Sequence, residues 1–76
     1  MSINVEYRVV VTSSDETLDF YSTEYVIAQR EAKVGCIGSG GTNHTYGAIT
    51  EWALFDNLEE AVECEKKLKA LLKINI

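Results

Sequence analysis

Ser13-Ser14-Asp15-Glu16-Thr17-Leu18-Asp19-Phe20-Tyr21-Ser22 is the stretch on which the fold turns, because it reads in two ways. In the first reading Asp15-Glu16 turns a hairpin and Thr17–Tyr21 returns as a second strand, with helix beginning near Ser22. In the second, Ser13 caps a helix with Glu16 three residues on, and Leu18, Tyr21, Tyr25, Ala28 and Ala32 form a stripe at helical spacing. Both readings place helix over residues 23–34. The alternation of Leu18 and Phe20 with Asp19 and Tyr21, and the preference of aromatics for pleated surfaces, favour the hairpin.

Upstream, residues 3–12 alternate as a strand. Ile3, Val5, Tyr7, Val9 and Val11 share one face, and Asn4, Glu6, Arg8 and Thr12 the other, with Val10 as the exception. Downstream, residues 35–47 hold all the glycines and read as a Gly-rich loop or a loosely paired hairpin. Ala48–Phe55 carries apolar groups on both faces and reads as a central strand. Asp56 is the expected cap of a final helix, with Glu59 reaching back. Leu58, Ala61, Val62, Leu68, Leu71 and Leu72 are its expected buried stripe. Glu63–Lys67 and Glu65–Lys69 are pairs four apart, in the favourable orientation. The expected fold is α+β: one compact domain over 1–76, ordered β-β-α-β-α, with a three-stranded sheet covered by helices on one face. The capping reading of 13–22 gives β-α-β-α instead.

The 76 residues, 46% apolar and 25% charged, have the composition of a globular chain. Net charge is −5, which disfavours direct binding to nucleic acid, since phosphate contacts need clustered Lys and Arg. An acidic chain attracts basic protein surfaces instead. Nothing in the sequence is long and apolar enough for a membrane span, and Met1–Glu6 lacks the charged and apolar regions of a secretory leader, so the expected location is cytoplasmic. Cys36 and Cys64 are then expected as free thiols. With His44 they lack the paired spacing of a zinc site, so no metal and no cofactor are expected.

The glycine segment is the one stretch whose composition points to a contact. Successive glycines let a backbone approach an anion closely, and Ser39, Thr42 and Thr45 add hydroxyls. The segment follows a helix and opens a strand, the reverse of a phosphate loop, and it has no Lys-Ser/Thr. His44 has no second ligand or orienting acid near it in sequence, and the eight-residue spacing from Cys36 carries no nucleophile signature. No catalytic residue is therefore assigned. Candidate contact residues are Gly38, Ser39, Gly40, Gly41, Thr42, Asn43, His44, Tyr46 and Trp52, since Tyr and Trp dominate interface hot spots. Asp15, Glu16 and Asp19 form a second, acidic candidate face.

The expected function is a small non-enzymatic binding module, an inhibitor or regulator working through contact with a larger basic protein. Its size and charge are those of bacterial or phage accessory proteins. The alternative is a small-metabolite or nucleotide binder built on residues 35–47, with the site between subunits of a homo-oligomer. Self-association fits both readings, because so short a domain has little core to spare.

Overall fold

Alternation at the start of the chain produces a strand whose odd positions, Val9, Val11 and Ser13, are buried while Arg8, Val10 and Thr12 face outward. The structure is a computed structural model and describes residues 5–14, 17–44 and 47–73. Its elements are β1 (Tyr7–Ser13), α1 (Thr23–Ala32), β2 (Gly38–Asn43), β3 (Ile49–Phe55) and α2 (Leu58–Leu71). The sheet is antiparallel in the order β1-β3-β2. The α+β class, the three strands and the helices on one face agree with the sequence reading. The order of elements is β-α-β-β-α, because the second strand comes from the glycine segment and not from 17–21.

The reason lies in Asp19. Its carboxylate accepts the Tyr21 amide at 3.0 Å, and its carbonyl accepts the amide and the hydroxyl of Ser22 at 3.1 and 3.0 Å. Such local side-chain bonding turns the backbone before a ladder can form. Leu18 and Phe20 still pack against the core, with Phe20 beside Tyr25 at 5.4 Å between ring centroids. Their alternation therefore records burial without a strand. Ser22, and not Ser13, caps α1, its hydroxyl accepting the Tyr25 amide at 3.2 Å. Asp15 and Glu16 lie outside the described residues, as do Ile3 and Asn4.

β3 is central, as its two apolar faces predict. Ile49, Glu51, Ala53 and Phe55 point into the helix layer; Thr50, Trp52 and Leu54 point out. Beside it β2 pairs with Gly38 opposite Leu54, Gly40 opposite Trp52 and Thr42 opposite Thr50. Between these strands the His44 amide donates to the Ala48 carbonyl at 2.7 Å, and Gly47 takes a φ of 83°, which suits only glycine well. Because narrow and wide pairs alternate in antiparallel ladders, Thr42, Gly40 and Gly38 exchange their hydrogen bonds with β3. Ser39, Gly41 and Asn43 turn theirs to the free edge.

α2 begins one residue later than expected. Asn57 is its cap, accepting the Glu60 amide at 3.2 Å, in place of Asp56 with Glu59. The buried stripe is Ala61, Cys64, Leu68 and Leu72, whereas Leu58 and Val62 are exposed. Burial pushes the Cys64 thiol up, and both cysteines are free. Lys69 reaches Glu65 at 2.9 Å as anticipated, while Glu63 pairs with Lys66 at 3.8 Å instead of Lys67. α2 crosses β1 and β3, and α1 packs on α2. Among the described residues no helix is long and apolar enough to cross a membrane.

Leu68, fully buried at the middle of this layer, makes a direct test of the packing. Leu68→Ala is expected to lower the unfolding free energy by about 2–5 kcal/mol, a large share of the roughly 4–11 kcal/mol typical of a domain this long. Exposed Val62→Ala is expected to change it by less than about 0.5 kcal/mol. Urea titration followed by circular dichroism reads both.

Candidate binding surface

Both helices cover the same side of the sheet, so the opposite side has no covering element among the described residues. On it stand Arg8, Val10 and Thr12 of β1, Thr50, Trp52 and Leu54 of β3, and Thr42 of β2. The indole of Trp52 lies across β2 in the space a side chain at position 40 would fill. A Cβ built on Gly40 would come within 2.6 Å of its Nε1. The Arg8 guanidinium sits 5.6 Å from the Trp52 ring centroid, a cation–π contact. Thr12 and Thr50 share a hydrogen bond at 3.0 Å, and the His44 ring bonds the Thr50 hydroxyl at 3.1 Å. The face thus has an aromatic centre, apolar neighbours in Val10 and Leu54, and a hydroxyl-rich end.

Beneath the same strands lies a buried charge network that the sequence reading missed. Glu51, only 2% exposed, accepts from Lys33 Nζ at 2.7 Å through one carboxylate oxygen and from the Tyr25 hydroxyl at 2.6 Å through the other. Lys33 Nζ also donates to the Gly40 carbonyl at 3.0 Å. Every buried side-chain nitrogen and oxygen among the described residues is satisfied, so the network is closed. Burial, reinforced by the hydrogen bond to Glu51 and by that carboxylate's charge, pushes the Tyr25 phenol well above its ordinary value. Gly41 lies opposite Glu51, and a Cβ there would run into the carboxylate. The glycine is what lets a charged side chain fit under the edge strand.

The candidate residues named from sequence divide between these two environments. Gly38, Gly40, Thr42, His44 and Trp52 come together on the uncovered face. Ser39, Gly41 and Asn43 alternate to the other side of β2, exposed at the sheet edge. Tyr46 lies outside the described residues. Asp19 is spent on the turn before α1, and Asp15 and Glu16 lie outside the described residues. Gly38, Gly40 and Gly41 run in an extended strand. A phosphate nest needs successive N–H groups to converge, whereas those of a strand alternate between its two edges. Clefts of about 300, 370 and 420 Å³ follow the helix layer, lined by described residues such as Ser22, Ala32, Glu60 and Leu71. Among the described residues no three His, Cys, Asp or Glu side chains cluster as metal ligands would.

The β2 glycines are therefore expected to differ sharply. Gly41→Ala forces the carboxylate to move and is expected to cost about 1–3 kcal/mol. Gly38→Ala meets only Leu54 and Trp52 carbons at 3.8 and 4.0 Å and is expected to be neutral, or stabilising by up to about 1 kcal/mol. Thermal and urea unfolding of the two variants decide it. Tyr25 gives a pH signature. Its folded pKa lies above the ordinary 10.0, so its contribution is fully present below pH 10 and is lost as pH rises beyond it. The urea midpoint is expected to fall with pH in that alkaline range, and Tyr25→Phe is expected to flatten the fall.

In comparisons with family models, with curated proteins and with solved structures, nothing matches this chain.

Proposed function

We propose that the chain is a protein-binding module whose contact surface is the uncovered sheet face, and that it acts by occupying a partner rather than by catalysis. The observation that supports this is the position of Trp52. A large aromatic is held half-exposed on a face without a helix, spread over glycine backbone and flanked by Arg8 and Val10. Trp and Arg are the residues that most often dominate binding energy when they centre a patch with a polar rim. Here Thr12, Thr50 and His44 supply that rim. The ring is held in place before any partner arrives, which lowers the ordering cost of association.

The acidic balance enters at longer range. Glu24, Glu31, Glu59, Glu60, Glu63 and Glu65 are exposed on the helix layer, while the sheet face carries Arg8, with exposed Glu6 two residues before it in the same alternation. Their combined field favours approach of a positively charged partner, and the sheet face makes the contact. Inhibition or regulation follows if that contact covers a working surface of the partner. The glycines of β2, being extended, give no comparable support to a metabolite site.

Two exposed valines separate the two sides of the molecule. Val10 is 53% exposed on the sheet face and Val62 is 43% exposed on α2. Affinity capture from lysate with the wild type, Val10→Asp and Val62→Asp, each verified as folded by circular dichroism, gives the test. The reading expects the protein held by the wild type to be lost with Val10→Asp, at least tenfold, and kept with Val62→Asp. Equal retention by both variants, or loss with Val62→Asp alone, would overturn it.

A further inference from the structure

We propose that two copies of this chain pair antiparallel along β2, joining their sheets into one. The starting observation is the free edge of β2. The hydrogen-bond phase set by His44 and Ala48 directs the N–H and C=O groups of Ser39, Gly41 and Asn43 away from β3, and no strand lies beyond them among the described residues. Edge strands that remain single usually carry a charge, a proline or a bulge that blocks a second strand. β2 carries no charge and no proline.

The charge pattern singles out the occupant. In a chain that is 25% charged, no Asp, Glu, Lys or Arg stands between Lys33 and Glu51. Those two flanking charges are buried and consumed by one another. A second copy brings its own net charge of −5, which opposes association wherever acidic surfaces meet. The β2 edge is a stretch of surface where two such copies meet without bringing like charges of this segment together.

The three glycines of β2 argue against a foreign strand on different grounds. Strand addition takes its affinity from backbone hydrogen bonds and its specificity from pockets for alternate side chains. With glycine at 38, 40 and 41, β2 offers no such pockets to read an unrelated sequence. Two-fold symmetry supplies the register that pockets would otherwise supply. With Gly41 opposite the partner's Gly41, Ser39 stands opposite the partner's Asn43 and Asn43 opposite the partner's Ser39. Each of these outward-facing residues then exchanges both backbone hydrogen bonds. The axis lies perpendicular to the sheet, so the two helix layers fall on the same side and the two Trp52 faces on the other. This assembly stands independently of what the Trp52 face binds.

Sedimentation equilibrium on the wild type, Thr42→Lys and Thr12→Lys tests it, with hydrogen exchange of individual amides measured by NMR on the same samples. Thr42→Lys sets two ammonium groups beside the axis, whereas Thr12→Lys adds the same charge at the far edge. The expected result is a wild-type mass twice the 8.5 kDa of the chain. The dimer's affinity should fall about a hundredfold or more with Thr42→Lys and stay unchanged with Thr12→Lys. The amides of Ser39, Gly41 and Asn43 should be protected in the wild type and exchange freely in Thr42→Lys. A wild type that stays monomeric to millimolar concentration overturns the proposal and leaves the edge to another kind of strand. A dimer that survives Thr42→Lys, or one whose Ser39, Gly41 and Asn43 amides exchange freely, overturns it as well by placing the interface elsewhere.

Discussion

A carboxylate taken out of water must be met by donors, and the placing of Glu51 governs most of what surrounds it. Leaving one member of such a buried pair alone costs about 3–5 kcal/mol, a large share of the roughly 4–11 kcal/mol typical of a domain this long. Glu51 sits on the inner face of the central strand with Lys33 and the Tyr25 hydroxyl closing on its two oxygens. Both donors come from α1 or its C-terminal cap. α1 itself packs on α2, so these two long side chains are what tie its position to the sheet. The same ammonium binds the Gly40 carbonyl and fastens β2. One anion thereby fixes a helix, an edge strand and the requirement for glycine at 41.

That arrangement explains why the glycine segment is a strand. Glycine weakens strands through its entropy and its missing contacts. Those losses are outweighed here because two larger side chains of β3 need the vacated space, Glu51 below Gly41 and Trp52 above Gly40. Strand preference in such a case belongs to the neighbouring strand and not to the segment itself. No window of the sequence confined to residues 35–47 contains that information.

Legibility followed the same division. α2 and β3 were readable because their patterns are local: a helical stripe with acids ahead of bases, and apolar residues on both faces of a strand. The three-stranded α+β class followed from them. The segment at 13–22 misled because Leu18 and Phe20 alternate for burial while Asp19 turns the backbone. Glu51 escaped notice because its place in the alternation of β3 is indistinguishable from that of a surface carboxylate. Its partner Lys33 is eighteen residues away in sequence, and only the antiparallel return of β2 and β3 brings the two together. Trp52 and the glycines were named as contact residues one by one. The fact that one lies across the other required the register.

The buried pair also separates the electrostatics of the molecule. By neutralising each other, Lys33 and Glu51 remove the two charges that border the neutral segment, and Glu24, Glu31, Glu59, Glu60, Glu63 and Glu65 stand exposed on the two helices. The uncovered face therefore stands on the far side of the sheet from the acids of the two helices. Long-range attraction and close contact become separate properties on opposite sides of the sheet: the acids set which partners approach, and Trp52, Val10 and the hydroxyl rim set which can stay. An apolar aromatic surface can then sit on a strongly acidic small domain without a ring of like charge around it, which is the condition for close contact with another protein surface.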